Sequence, residues 1–137
     1  MEFTFRENKC FVCGPQNADG LQLRFENNSE GISKARCVFG EKYQGYDNIV
    51  HGGLIAAVLD DSMAYAIMGL GLMPVTVEMK IRYKKPTRVG EEITLEGKVI
   101  KVGRKMVEVE AYAKGPDGDV RAHAEGKFVI GVVESRE

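Results

Sequence analysis

The sequence has almost no surplus of charge: 19 Lys and Arg stand against 20 Asp and Glu, a formal net charge of −1 over 137 residues. Nucleic-acid-binding and membrane-surface proteins usually carry a basic excess, so neither partner is expected, while a local basic patch for a small anion stays open. Cysteines number only 3, two of them in Cys10-Phe-Val-Cys13 with Cys37 isolated, which is too few for a disulfide scaffold. The same shortage denies a zinc site its second Cys pair. Cys10 and Cys13 are therefore read as a packed turn and no metal is assigned. The 2 histidines have no partner at metal-ligand spacing. The first ten residues lack the charged and apolar regions of a signal peptide. The longest apolar stretch, near residues 52–60, runs into two aspartates and falls far short of the ~20 residues that span a bilayer. A cytoplasmic location is the expectation. Also missing are a Gly-x-Ser-x-Gly elbow, a Walker loop, a dinucleotide fingerprint, internal repeats and a Pro/Gly/Ser linker, which excludes α/β-hydrolase, P-loop and Rossmann chemistry.

What is present is an ordinary globular composition, 44% hydrophobic and 28% charged. A chain of this length buries roughly two thirds of its unfolded surface and suits a single domain, 1–137, with residues 1–19 as a lead-in carrying Cys10 and Cys13. Alternation predicts a strand at Leu21–Phe25, a turn at Asn27–Gly31 and a returning strand at Ile32–Phe39. Residues 40–50 read as a loop. From Gly52 to about Met68 the chain is apolar almost all round and free of Pro, which predicts a helix buried on every side. Gly69-Leu-Gly71 ends it and Pro74 blocks continuation. After Pro74 the pattern alternates, with Val75, Val77, Met79, Ile81 and Tyr83 on one face and Thr76, Glu78, Lys80 and Arg82 on the other. Further strands are expected at about 92–102, 105–114 and 120–133, joined by short turns. The prediction is an α+β fold in which a curled, largely antiparallel sheet wraps one long central helix.

The chemistry concentrates in Asn48-Ile-Val-His51-Gly-Gly-Leu-Ile-Ala-Ala-Val-Leu-Asp60-Asp61. Carboxylates inside an apolar helix lose hydration, which raises their pKa and basicity and prepares them for acid–base or nucleophilic work, unless they lie at an exposed helix edge or pair with a cation. Consecutive residues point about 100° apart, so Asp60 and Asp61 cannot both face one site. Gly52 and Gly53 open the helix, where unpaired N–H groups and the dipole suit an anion or oxyanion; a tight loop-to-helix turn would also use them. His51 reads first as a structural hydrogen-bonder that caps, stacks or titrates. Gly52 and Asp60 stand eight residues apart, about 12 Å along the axis, so one carbonyl cannot touch both. Joint action by the pair requires two copies of the chain.

The His51-Gly-Gly motif, Asp60 nine positions later, and the Pro74-Val-Thr-Val-Glu-Met-Lys-Ile-Arg-Tyr-Lys-Lys-Pro86-Thr-Arg-Val-Gly90-Glu strand closely resemble the hotdog-fold acyl-CoA thioesterases of the phenylacetate-degradation and human thioesterase-superfamily types. The resemblance covers roughly residues 20–133, and the Cys10–Phe25 segment looks like a lead-in of one branch. It implies a hotdog fold whose dimers pair sheets edge to edge, or a dimer of dimers, and a hydrolase acting on acyl-CoA. Coenzyme A would then be part of the substrate, and no cofactor is expected. Asp60 takes the place of the catalytic carboxylate, as nucleophile or as general base. Gly52 matches the glycine whose backbone N–H polarises the thioester carbonyl from the partner subunit, and Thr76 a hydroxyl residue that orients the attacking water. The family's Asn or Gln six residues before the histidine is Gly45 here, with Gln44 beside it. Asp61 remains the alternate carboxylate. Among the cations of 80–88 and the Gly103-Arg-Lys turn, Arg88, Arg104 and Lys105 lie in loops and are the candidates for the phosphates of coenzyme A. The alternative is a non-catalytic acyl-CoA-binding or regulatory hotdog domain.

Overall fold

The computed structural model describes residues 2–4 and 8–134 of the chain. Met1 and the segments 5–7 and 135–137, which belong to the single-domain reading, lie outside the described residues. The elements in chain order are β1 (Glu2–Thr4), β2 (Glu26–Asn27), β3 (Ile32–Val38), a 3-10 turn at Glu41–Tyr43, α1 (Gly52–Met68), β4 (Met73–Tyr83), β5 (Glu92–Val102), β6 (Met106–Lys114) and β7 (Val120–Glu134). The sheet runs β2-β3-β5-β6-β7-β4 with every neighbouring pair antiparallel, and β1 adds a short parallel pairing to the end of β7.

One face of α1 meets the sheet. Ile55, Val58, Leu59, Ser62, Met63, Ala66 and Ile67 are buried, at the three-and-four spacing of a single helix stripe. They pack with Leu95, Val109, Ala124 and Phe128 from the concave side. Each fully buried side chain of the size of Leu59 or Phe128 contributes about 1.5–3 kcal/mol. Helix and sheet approach closely at Gly97, where a Cβ would collide with the Ser62 carbonyl. Ser33 Oγ donates to that same carbonyl over 2.5 Å.

Three expectations need correction. Leu21–Phe25 is not a strand: Gln22 takes a φ of 52°, and Leu21 and Leu23 donate their N–H groups to the carbonyls of Phe11 and Val12 in the lead-in instead of to a neighbouring strand. Only Glu26 and Asn27 pair with β3. The helix is not buried on every side, because Asp60, Asp61, Ala64 and Tyr65 are only half-buried. Finally, the alternation of β4 breaks at Val77. Thr76 stands opposite Phe128 and Glu78 opposite Lys127, so Val77 is an extra, bulged residue and is 51% exposed. Cross-strand partners share a face, so Thr76 points with buried Phe128 toward the helix rather than outward with Glu78.

Candidate active site

The bulge creates the central contact. A β-bulge re-aims the side chains on one side of it, and here it turns Thr76 toward the middle of α1, where its Oγ1 donates to Asp60 Oδ1 at 2.7 Å. Burial raises the Asp60 carboxyl above its ordinary range, and the Thr76 hydroxyl pulls part of that shift back by hydrogen-bonding the charged form. The pair sits where β4 is exposed at Thr76, Val77 and Glu78. Among the described residues β4 has a hydrogen-bonded neighbour only in β7, so its other edge is open.

The start of α1 forms the second half. His51 caps the helix, its Nδ1 accepting from the Gly53 N–H at 2.9 Å. That bond occupies the donor of Gly53 and leaves the Gly52 N–H without an acceptor among the described residues. Tyr83 at the far end of β4 donates its hydroxyl to the Gly52 carbonyl at 2.7 Å, fixing this first turn. A surface cavity of about 300 Å³ opens here, lined by Val50, Gly52, Ile55, Tyr83, Lys84 and Lys85 among others. The unpaired N–H at the positive end of the helix dipole suits an oxygen carrying developing negative charge. Gln44 is held in its own loop, with Oε1 accepting from the Asn48 N–H at 2.9 Å.

Gly52 and Asp60 lie on one unbroken helix, and the structure does not bring them together within one chain. The basic candidates divide in the same way. Arg104 and Lys105 occupy the β5–β6 turn, beside Met106, which pairs with Val129 opposite Val75 at the Thr76 end of the sheet. Lys84, Lys85 and Arg88 follow Tyr83 at the other end. All five are exposed. Arg104 and Lys105 border a cavity of about 510 Å³ with Lys101 and Lys127.

Asp61 faces another way. Its Oδ2 accepts from the Cys10 thiol at 3.8 Å and its Oδ1 from the same thiol at 4.0 Å, under the lead-in. Burial raises its pKa; the neighbouring Cys13 and Cys10 thiols lower it and the Asp60 charge raises it further. Burial also pushes the Cys13 thiol up to about 12.

The thioesterase superfamily model matches residues 47–122, 76 of the 137 residues, a span that holds His51, Gly52, Asp60 and Thr76. The chain belongs to that superfamily. A candidate esterase of Saccharolobus solfataricus is 32% identical over 112 residues, 80% of this chain and 74% of that protein. Acyl-coenzyme A thioesterase 13 of Mus musculus is 36% identical over 59 residues, 42% of each chain. Among solved structures, a thioesterase superfamily protein superposes with a TM-score of 0.83 at 31% identity, covering 89% of this chain. This chain spans only 60% of that protein's length. A hypothetical thioesterase of Streptococcus pneumoniae, solved with coenzyme A, superposes with a TM-score of 0.76 at 19% identity, over 82% of this chain and 88% of its own. Alanine variants of that protein have been solved at an aspartate and at a threonine sixteen positions later. The fold of this superfamily member is the hotdog fold: a curled antiparallel sheet around one long helix. No helix among the described residues is long and apolar enough to cross a membrane.

Sequence reasoning missed two contacts and one strand irregularity. Tyr83 carried no mark beyond its place in an alternating strand, yet it holds Gly52. The thiol of Cys10 reaches Asp61 across 51 positions, a separation no local pattern encodes. The Val77 bulge has no signature because Thr-Val-Glu alternates perfectly.

Proposed function

We propose that the chain hydrolyses an acyl-CoA thioester to the free acid and coenzyme A, at a site shared by two copies. The observation that carries this reading is the Asp60–Thr76 contact facing the open edge of β4, with the free Gly52 N–H about 12 Å away on the same helix. Antiparallel pairing of β4 with a two-fold copy would bring the Thr76 end of one protomer beside the Tyr83 end of the other. That arrangement joins Asp60 of one to Gly52 of its partner, and Arg104 and Lys105 of one to Lys84, Lys85 and Arg88 of its partner. It also covers an 11-residue edge strand that exposes Val77 and Tyr83. The alanine variants of the pneumococcal relative are spaced as Asp60 and Thr76 are, which supports the same pair here.

In the reaction the Gly52 N–H donates to the thioester oxygen as charge develops on it. Asp60 either adds to the carbonyl carbon, giving an anhydride that water then opens, or removes a proton from water as the water adds. Either way the carbon–sulfur bond breaks, the coenzyme A sulfur leaves with the electron pair and takes up a proton, and one water is consumed in forming the acid. Thr76 donates to one Asp60 oxygen and leaves the other free to act.

Thiol release from a panel of acyl-CoAs tests the reading. Asp60→Asn is expected to lower turnover by at least ~100-fold with the dimer intact. Binding of acyl-CoA without thiol release would favour the non-catalytic alternative. Activity that survives in Asp60→Asn and vanishes in Asp61→Asn would move the role by one residue. A monomer by ultracentrifugation that is fully active would overturn the shared site.

A further inference from the structure

We propose that Cys10, Cys13 and Asp61 form a zinc-binding site that clamps the lead-in onto α1. The two cysteines lie in sequence at the two-residue spacing typical of zinc ligands, and the fold supplies the third ligand that the sequence lacked. One ligating atom from each residue falls within 4.8 Å of the other two. Zinc–sulfur and zinc–oxygen bonds of about 2.3 and 2.1 Å at tetrahedral angles put ligand atoms about 3.6–3.8 Å apart. Cys10 Sγ already stands 3.8 Å from Asp61 Oδ2, so closing on an ion needs only side-chain adjustment.

The turn is also built to hold sulfur ligands. The Cys13 N–H donates to Cys10 Sγ at 3.5 Å, and the Gly14 N–H donates to the Cys10 carbonyl at 2.8 Å. Gly14 is required there, since a Cβ would collide with the Cys10 backbone. The Asn8 side-chain amide donates to Cys13 Sγ at 4.0 Å. Donors aimed at both sulfurs are the outer contacts that orient metal-bound thiolates. Among the described residues Asp61 makes no ion pair, and its contacts within the cluster are to sulfur. Two sulfurs and one carboxylate oxygen select zinc over magnesium or calcium, which prefer all-oxygen sites. Water completes the tetrahedron.

The site is independent of the hydrolytic reading and is tested by metal content rather than activity. The full chain without an affinity tag is loaded with Zn²⁺ under reducing conditions and desalted, and its metal is measured. One equivalent per chain is expected, falling at least ~10-fold in Cys10→Ser, Cys13→Ser and Asp61→Asn and unchanged in Cys37→Ser. Co²⁺ in place of zinc should give the intense visible bands of a tetrahedral ion and thiolate-to-metal charge transfer. Negligible retained zinc, a weak octahedral cobalt spectrum, or retention indifferent to the three substitutions would overturn the site. If the variants fail to fold, the wild-type chain decides: Zn²⁺ should slow alkylation of Cys10 and Cys13 but not of Cys37. Equal rates with and without zinc would sink the proposal.

Discussion

Thr76 reaches Asp60 at 2.7 Å because Val77 is left out of the ladder between β4 and β7. With Val77 paired regularly, Thr76 would stand opposite Val129 and its hydroxyl would leave the helix side. A single unpaired residue thus decides whether the helix carboxylate has a hydroxyl partner. The cost of the bulge is one exposed valine at an edge that a second copy would cover.

Removing the hydroxyl while keeping the shape isolates that contact. Thr76→Val is expected to lower kcat by about 10–100-fold, the worth of one hydrogen bond to a charged group, with KM little changed. Thr76→Ser should retain most of the activity. Steady-state kinetics on the best acyl-CoA of the panel reads both variants. A Thr76→Val enzyme with wild-type kcat would show that the hydroxyl takes no part in the chemistry.

The first helical residue offers a second probe. Gly52 is the N1 position, where proline is tolerated, and His51 already has the extended ψ of 129° that a residue before proline prefers. Its new Cβ would meet Tyr83 only at an ordinary 3.5 Å. Gly52→Pro therefore deletes one N–H and little else, and kcat should fall by about 10²–10³. Unfolding and refolding this variant together with Asp60→Asn should restore up to about a quarter of wild-type activity, since half the dimers then carry one complete site out of two. No recovery in the mixture, with dimers confirmed, would mean that both groups act within one chain.

The helix and the four strands after it were legible because their periodicities are local: apolar all round for α1, alternating for β4 to β7. Asp60 and Gly52 could be picked out because each breaks its local pattern, two carboxylates in an apolar run and two glycines at a helix start, and His51 by its place just before those glycines. Other contacts were invisible for physical reasons. The Leu21–Phe25 alternation is real, but its N–H groups satisfy the lead-in, a choice made by tertiary contact. Thr76 could be named by resemblance, yet its direction depended on a ladder irregularity that no residue type announces. The Cys10–Asp61 contact joins segments far apart in sequence, and a count of cysteines alone pointed away from it.

Helix placement has its own test at Gly97. The Ser62 carbonyl occupies the space a methyl group would need, and Ser62 lies two residues from Asp60. Gly97→Ala must push α1 off the sheet, at about 1–3 kcal/mol or more. Thermal unfolding should show Tm lower by several degrees, and kcat should fall as Asp60 withdraws from Thr76. An unchanged Tm would indicate that the sheet yields there without loss.

Acid stability is set by a different group of charges. Arg121 donates from Nη1 and Nη2 to the two Glu91 oxygens at 2.8 Å each, from Nε to Asp119 Oδ2 at 2.7 Å, and from Nη1 to the Pro86 carbonyl at 2.9 Å. The guanidinium holds the Glu91 carboxyl down from 4.5 to about 2. A carboxylate whose pKa is lower in the folded state stabilises the fold above its unfolded value. That stabilisation is fully present above about pH 4.5 and is lost as the pH falls toward about 2. Arg121→Gln should therefore lower neutral-pH stability by about 1–3 kcal/mol and flatten the acid limb between those values. Because Arg121 also ties the segment after Tyr83 through Pro86, the variant should loosen the end of β4 that holds Gly52. Urea unfolding followed from pH 7 to pH 2.5 measures both effects, and a variant curve parallel to wild type across the acid range would remove Glu91 from the account.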